Sequence, residues 1–454
     1  MATTRVLSLL MNFDSCIYQD NLDDWAAEAQ QMRLIYAHAE CNIAATSAEN
    51  SEIGLFFERD PFVLTPFEIE LTRISDGMPR SAQVQRYACE LTRQEPIDTI
   101  VNQPLNVRAW VAQETYLSSR MMHFTKTYLY WQCNESFANE LYPHGLPASA
   151  SYTPGPRELR NMVQRLRLNH LVQCNSIDSN EKSHLYTCEE RESIYRAWCA
   201  FRQLYTKCQL SREEDKIAAI LGIAADIEDF FSDAPAESHN LSANFTACLW
   251  RSCIIRELCW SHHTWGTEAS SDEYAALPDL HAPSWSWAST KNVTIHSGCN
   301  FRYDGLRIES LAAVLSIQVN YRSDWTCSGT IQLACRPLQA VLSPQHLVQA
   351  YLRQFRLQDP NDKDLEGHLA LDRPHLHKEE QAIFIVVLQC YKKDDGVYDY
   401  EGIGITASEV FPGTFTRIGH FNCASVMDDK GEHETFNLFK SQYDRTDTQI
   451  ITIV

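Results

Sequence analysis

The sequence predicts an α/β domain at the N-terminus, followed by a helical middle and a β-rich C-terminal region. Apolar residues recur at helical spacing before residue 40 and again around residue 200, and short β-branched runs follow residue 300. The chain has 454 residues, too many for one ordinary core, which suggests two or three domains. We place the boundaries at residues 1–140, 141–157, 158–300 and 301–454.

The N-terminal domain, residues 1–140, begins with a predicted amphipathic helix near residue 24. Asn21 or Asp23 can cap it, because a short polar side chain satisfies the free N–H groups of a first turn. The apolar face of this helix consists of Trp25, Ala29, Met32, Tyr36 and Ala39. Residues 41–45 suit either a buried strand or a continuation of the helix.

The rest of this domain contains less regular patterns. Residues 62–96 suit an insertion or short strands. Residues 107–115 suit a short helix, and two runs at 121–124 and 128–131 suit a hairpin around residues 125–127.

The Pro- and Gly-rich residues 141–157 form the clearest linker. In the helical region that follows, a stripe at helical spacing is typical of a core helix; it consists of Ile194, Trp198, Phe201, Tyr205 and Cys208. Ser211 and Glu214 fit a capping box before the next helix. The arginines from Arg157 to Arg167 are interpreted as a solvated helix face.

The C-terminal region, residues 301–454, has a sequence pattern typical of β structure. Strand-like runs separated by polar or Gly/Pro turns occur at residues 311–319, 330–335, 382–390 and 402–406.

Charge and hydropathy exclude several classes of function. The formal net charge of -20 argues against nucleic acid or an anionic membrane surface as the main partner. The longest strongly apolar run, residues 383–388, is far shorter than the roughly 20 residues of a membrane-spanning helix. We therefore expect an intracellular, cytoplasmic protein without a membrane span.

Cysteine usage predicts free thiols. The 16 cysteines are scattered and form no CxxC pair, as expected in a reducing compartment. Cys253, Cys259, His262 and His263 come nearest to a metal cluster, but their spacing fits no common zinc module. No metal and no cofactor is predicted.

Three separated segments carry the functional signal of the sequence. The first is Asp14-Ser15-Cys16-Ile17-Tyr18-Gln19-Asp20, which leads to Asp24-Trp25. The second is Arg108-Ala109-Trp110-Val111-Ala112-Gln113-Glu114, followed by Arg120, and the third is Ala282-Pro283-Ser284-Trp285-Ser286-Trp287-Ala288-Ser289. None of them is a catalytic signature by itself.

The order and spacing of these segments resemble the fungal heterokaryon-incompatibility (HET) domain and the region that usually accompanies it. Asp14, Asp20 and Trp25 match one motif of that family. Arg108, Trp110, Gln113, Glu114 and Arg120 match the next motif, and Trp285 and Trp287 lie in a matching block downstream. The resemblance implies a protein of self/non-self recognition and programmed cell death.

One motif of the family is missing. The family normally begins with a strand that carries a Leu-Ser-His-Cys-Trp-Gly type motif, whereas Asp14 here follows only 13 residues. We therefore expect a partial, N-terminally truncated domain or a degenerate member of the family. The loss of this strand would expose a sheet edge, which is a folding liability.

The resemblance also implies a fold and a possible chemistry. The HET domain has been compared with the TIR fold, a parallel sheet flanked by helices, and some TIR-type domains cleave NAD with a helical glutamate. Trp110 and Glu114 are four residues apart and would share one helical face. Glu114 is then the candidate catalytic residue, with Trp110 and Asp14 assisting; a carboxylate beside an aromatic wall can stabilise an oxocarbenium-like centre.

Structural explanations compete with this chemistry. Arg108 and Glu114 suit an ion pair, Asp14 and Asp20 suit helix caps, and Trp285 and Trp287 suit a wedge between domains. Three hypotheses follow: death signalling by association with protein partners or with itself, an NAD glycohydrolase that uses Glu114, and an inactive truncated paralogue. NAD enters only the second, as a substrate.

Overall fold

The computed structural model describes residues 31–50, 52–59, 67–73, 83–89, 100–146, 156–174, 186–232, 244–263, 281–291, 293–297, 307–322, 326–346, 352–357, 365–372, 381–392, 398–423 and 443–454. These residues form two compact units, and the division falls between Gln164 and Arg165.

The first unit contains a small mixed sheet with helices. Its helices are α1 (residues 31–38), α2 (Ala109–Leu117) and the first part of α3 (Pro156–Cys174), with a 3-10 turn over Pro104–Val107. Its strands are β1 (Asn42–Ala44), β2 (Phe67–Arg73), β3 (Gln83–Cys89), β4 (Arg120–Phe124), β5 (Leu129–Cys133) and β6 (Phe137–Asn139).

The sheet of the first unit has the order β1-β4-β5-β6. Strand β1 runs parallel to β4, with Ile43 beside Met122, and the other neighbours are antiparallel. Strands β2 and β3 form a separate antiparallel pair. The predicted hairpin around residues 125–127 is confirmed as β4 and β5, and of the two expectations for residues 41–45 the strand is confirmed.

The helical part of the second unit buries the predicted aromatic stripe. It contains the rest of α3, together with α4 (Cys188–Tyr205), α5 (Asp215–Ile227) and the short α6 (Ile254–Glu257). Trp198 and Phe201 on α4 are almost wholly inaccessible, and the Trp198 ring packs edge-on against Trp250 with 5.7 Å between ring centroids. The predicted core role is confirmed for the four residues within α4, whereas Cys208 lies beyond the end of this helix and is half-buried.

The predicted capping box at Ser211 is wrong. Helix α5 begins at Asp215, and its N-cap residue Glu214 is already helical and makes no side-chain capping bond. The capping box lies at α4 instead, where Thr187 and Glu190 exchange hydrogen bonds between side chain and backbone.

The strands of the second unit dominate its C-terminal part. They are β7 (Phe245–Thr246), β8 (Leu249–Trp250), β9 (Trp260–His263), β10 (Thr294–Ser297), β11 (Arg307–Ser310), β12 (Ala313–Tyr321), β13 (Cys327–Cys335), β14 (Pro337–His346), β15 (Leu352–Leu357), β16 (Leu365–Leu371), β17 (Gln381–Lys392), β18 (Tyr398–Ala407), β19 (Phe415–Cys423) and β20 (Gln449–Ile453).

Six of these strands close into an antiparallel barrel. The order β14-β15-β16-β19-β18 returns to β14 through β17, so each strand of the ring has a neighbour on both sides. Strand β11 pairs with β17 outside the ring, and β20, β13 and β12 extend the sheet from β19. Closure protects the backbone edges of the ring strands from unwanted pairing.

The barrel interior is filled with apolar side chains. Leu342, Phe355, Leu369, Ile385 and Ile418 are among its buried residues, and alternate residues of each strand point to this core. The predicted α/β N-terminal part and β-rich C-terminal region are confirmed at this level.

Candidate functional site

Helix α2 carries the residues that matched the family motif in the sequence. Trp110 and Glu114 are both partly exposed and lie four residues apart, so they share one face of the helix. Gln113, between them in sequence, is buried with 1% exposure. Arg108 is the exposed N-cap residue and makes no side-chain capping bond.

The C-terminal end of α2 is closed by local hydrogen bonds. Ser118 is the C-cap residue, and both its backbone N–H (3.1 Å) and its hydroxyl (2.7 Å) donate to the carbonyl of Glu114. The chain then turns into β4, where Arg120 is exposed and lies 3.6 Å from the carboxylate of Glu40. Such an exposed ion pair contributes little stability.

Two buried arginines of α3 bind carbonyls in the last turn of α2 and directly after it. Arg160 donates to the carbonyls of Tyr116 (2.7 Å) and Leu117 (2.6 Å), and Arg157 donates to those of Ser118 and Ser119. The predicted solvated face from Arg157 to Arg167 is therefore wrong at these two residues, which are 2% and 9% exposed. Their charge stabilises the negative end of a helix dipole.

Burial and the neighbouring charge of Arg160 lower the pKa of Arg157 to about 10. Arg157 stays protonated at neutral pH, because that value still lies well above 7. The first unit thus keeps a positive charge beneath the end of α2.

The loop after β1 contacts the residues that lie just before α2. The Thr46 carbonyl accepts a hydrogen bond from the N–H of Leu105 at 3.3 Å, in the 3-10 turn before α2. The Ser47 hydroxyl donates to the Gln103 side-chain oxygen at 2.6 Å. Because β1 and β4 are parallel, this loop lies at their shared carboxyl end, where α/β sheets commonly place functional groups.

His123 lies at the centre of the first unit and was missed by the sequence analysis. Its ring is 1% exposed, with Nδ1 3.1 Å from the Thr46 hydroxyl and Nε2 3.2 Å from the Gln132 side-chain oxygen. Burial lowers its pKa to about 4, assisted by the charge of Arg157 and opposed by the Gln132 hydrogen bond. The imidazole is therefore neutral at physiological pH.

Other predicted site residues lie outside the described part of the chain. These are Asp14, Asp20 and Trp25, together with the helix start proposed near residue 24. Their contribution to a site with Glu114 stays a prediction.

The third sequence segment forms a buried junction within the second unit. Trp285 and Trp287 are both inaccessible to solvent. The Trp287 indole N–H donates to the carbonyl of Cys248 at 3.0 Å, and the Ser286 hydroxyl donates to that of Ala247 at 2.6 Å. The Trp285 carbonyl accepts from the indole of Trp260 at 3.0 Å. The segment thus organises neighbouring backbone and offers no reactive group to solvent.

The turn bound by Ser286 and Trp287 is strained. Ala247 and Cys248 connect β7 to β8 with φ values of 48° and 64°, a left-handed conformation that non-glycine residues rarely adopt. Such a conformation persists where surrounding contacts specify it, and the two donors from the third segment supply those contacts.

Two further buried polar groups support the second unit. Arg417 on β19 donates to both carboxylate oxygens of Asp372 (2.8 and 3.3 Å) and to the carbonyls of Leu258 and Trp260. Its guanidinium also lies 3.5 Å from the centre of the Trp260 ring. This arginine joins the barrel to the helical part of the same unit.

The second buried polar group is centred on Glu401. Its carboxylate accepts hydrogen bonds from Tyr391 (2.5 Å), Gln389 (2.7 Å) and His420 (2.9 Å). Burial acts to raise the pKa of Glu401, and these hydrogen bonds outweigh it, so the pKa lies below the ordinary carboxyl value. Glu401 is therefore ionised at neutral pH.

Two of the four residues that come nearest to a metal cluster, Cys259 and His262, contact backbone carbonyls instead. The Cys259 thiol donates to the Ile255 carbonyl at 3.4 Å, and His262 Nε2 lies 2.6 Å from the Leu371 carbonyl. In the described part of the chain, no group of three or more His, Cys, Asp or Glu residues could hold a metal ion.

Comparison with protein families identifies the N-terminal segment. The family described as Heterokaryon incompatibility protein (HET) matches residues 14–114, a range that ends within α2 at Glu114. Residues 14–114 are therefore similar to the HET family, and the predicted resemblance is confirmed over this segment. No curated protein and no solved structure matches the chain. Among the described helices, none has the length and apolar character needed to cross a membrane.

Proposed function

We propose that this chain is a heterokaryon incompatibility-type protein that acts in self/non-self recognition and signals cell death by association with protein partners or with itself. The observation that carries the proposal is the HET match over residues 14–114. Partially exposed Trp110 and Glu114 on an anchored helix support it, because a rigid element that presents an aromatic side chain suits protein contacts.

The second candidate function is cleavage of NAD by Glu114, with Trp110 and Asp14 assisting. The observation that favours it is the shared helical face of Trp110 and Glu114. It also assumes that the HET domain is TIR-like, a likeness of fold that is a weak argument for activity. In this reading Glu114 stabilises positive charge on the ribose while the nicotinamide departs.

One experiment separates these readings. The whole chain and its Glu114→Ala variant are expressed in a filamentous fungus, and colony viability and cellular NAD are measured together. Glu135→Ala, which removes an exposed carboxylate from the β5–β6 turn, is the matched control.

Death by association predicts loss of viability with the whole chain and with Glu135→Ala while NAD is maintained until the cells die. The NAD reading predicts that Glu114→Ala abolishes both NAD loss and death, whereas Glu135→Ala abolishes neither. Full viability with every form would contradict both candidates and leave an inactive paralogue.

A further inference from the structure

Both ends of α2 connect to a single buried cluster in the first unit. The cluster, here called the His123 cluster, consists of Thr46, His123, Gln132 and Arg157. Towards the start of α2, Thr46 contacts His123 through its hydroxyl and Leu105 through its carbonyl. Towards the end of α2, Arg157 binds the Ser118 and Ser119 carbonyls.

Gln132 joins the two halves of the cluster. Its side-chain oxygen lies 3.2 Å from His123 Nε2, and its backbone carbonyl accepts from Arg157 at 3.2 Å. With a neutral ring, Nε2–H donates to the Gln132 side-chain oxygen and Nδ1 is an acceptor 3.1 Å from the Thr46 hydroxyl, whose other acceptor is the Ala44 carbonyl at 3.3 Å. Hydrogen bonding therefore accommodates the ring, and what disfavours a charge on it is its complete burial beside the Arg157 guanidinium.

The charged side chains near His123 are positive. Arg157 is the charged group that acts on the imidazole, and Arg160 lies beside Arg157 on the same helix. From β5 the nearby titratable group is the Cys133 thiol, which acts on Arg157. Three carboxylates of this unit form ion pairs with other basic side chains: Glu40 with Arg120, Glu49 with Lys126 and Glu140 with Arg59.

We propose that the His123 cluster is an acid-sensitive latch, in which protonation of His123 places a second positive charge beside Arg157 and releases α2 from both anchors. A buried charge without a counter-charge is costly, and solvation of the ring by local opening removes that cost. The element released is the one that presents Trp110 and Glu114.

The sign and size of the effect follow from linkage. The folded pKa of His123, about 4, lies below the ordinary imidazole value of 6.5, so the opened state binds the proton more readily. The stabilising contribution is complete above about pH 6.5 and is lost as the pH falls towards 4. The equilibrium constant for opening should rise about tenfold at pH 5.5 and roughly thirtyfold at pH 5.

The test is hydrogen exchange of the whole protein between pH 7.5 and 5, corrected for the intrinsic pH dependence of amide exchange. Peptides over residues 100–119 report on α2, and peptides of the barrel report on the second unit. His123→Gln removes the titrating group, and His38→Gln, at an exposed histidine of the same unit, is the matched control.

We expect the protection of α2 to fall on acidification in the wild type and in His38→Gln, and to lose this extra pH dependence in His123→Gln. Equal pH dependence in all three proteins would overturn the proposal. If His123→Gln does not fold, NMR of the histidine rings in the wild type decides. A His123 ring that stays neutral down to about pH 5 supports the latch, and one that titrates near 6.5 overturns it.

This inference goes beyond the proposed function and does not depend on it. Exchange measures the opening of α2, whereas viability and NAD measure the activity of the protein in cells. Failure of one therefore leaves the other testable.

Discussion

At the scale of single residues, buried arginines donate to main-chain carbonyls at the ends of helices and strands. Arg157 and Arg160 do so at the end of α2, and Arg417 does so at the start of β9. Each guanidinium offers five donors in a fixed plane, so it can serve several carbonyls at once. Removal of one leaves buried acceptors without partners, which costs more than the loss of an exposed ion pair.

We therefore predict that Arg157→Met destabilises the protein by about 2–4 kcal/mol, because three carbonyls lose their donor. Arg165→Met, at an exposed position of the same helix, should change stability by less than about 0.5 kcal/mol. Urea unfolding of both variants measures the difference. Equal midpoints for the two variants would show that the Arg157 contacts contribute nothing.

Glu401 should also make the stability of the protein fall on acidification, through a buried carboxylate that is ionised at neutral pH. Its folded pKa is depressed, so its contribution to stability is complete above the ordinary carboxyl value and is lost as the pH falls through the folded pKa. Glu401→Gln should lower stability at neutral pH and flatten its acid dependence.

Thermal unfolding between pH 7 and 3 measures this effect, with Glu409→Gln at an exposed turn as control. A Glu401→Gln variant that keeps the full acid dependence of the wild type would refute the assignment.

At the scale of elements, closure of the barrel depends on close backbone approach. A Cβ built on Gly402 of β18 would lie 2.0 Å from the Val386 carbonyl oxygen, and one on Gly419 of β19 would lie 2.3 Å from that of Ala370. Both distances are far below contact, and backbone cannot move aside as a flexible side chain can. Glycine at these positions is therefore a requirement of the ring.

Gly402→Ala should accordingly destabilise the second unit by about 3 kcal/mol or more, as overpacking against backbone does in other cores. Gln339→Ala, at an exposed position of β14, should have little effect. Near-UV circular dichroism and chemical unfolding measure both. A Gly402→Ala protein as stable as the Gln339→Ala protein would exclude this account of closure.

The third sequence segment acts at the same scale, because it fixes the strained turn between β7 and β8. Trp287→Phe keeps an aromatic ring but removes the N–H that the Cys248 carbonyl accepts. We expect a loss of about 1–3 kcal/mol, since a buried carbonyl loses its donor. Denaturant unfolding gives the value, and Phe411→Leu on an exposed turn is the control. Unchanged stability would assign the segment a different role.

Predictions from the sequence were correct in segments where apolar residues follow one clear helical or strand periodicity. They were wrong in segments that bury charged residues. The aromatic stripe of α4 and the hairpin of β4 and β5 have clear periodicity, and the structure contains both. Strand β15 was missed because Arg353 and Arg356 interrupt its apolar pattern, although Arg353 is buried. The arginines of α3 were misassigned because a sequence pattern does not show which charged residues have carbonyls to bind.

The candidate site was also predicted in part from the sequence. The motif placed Trp110 and Glu114 on a helix, and α2 confirms that placement. His123 gave no signal, since a lone histidine in a strand resembles any other core residue. Its role emerges only from contacts with Thr46 and Gln132, which are 77 and 9 residues away in sequence.

At the scale of the whole molecule, the two units differ in their family match and in their architecture. The first unit includes the part of the HET segment that the structure describes, and it holds α2 by contacts at both ends. The second unit has its own core, a closed barrel and buried ionic groups. We propose that the first unit transmits the death signal and that the second unit, which is stably folded, recognises a partner.

The proposed function places the functional surface of the protein on the partly exposed face of α2 that carries Trp110 and Glu114. The most direct measurement is the growth of a fungal strain that expresses the whole chain, its Trp110→Ala variant, or Leu171→Ala, which removes an exposed apolar side chain from α3. We predict that the wild type and Leu171→Ala arrest growth and that Trp110→Ala does not, although it accumulates and unfolds at the same urea concentration. Growth arrest by a folded Trp110→Ala protein, equal to that of the wild type, would contradict the claim.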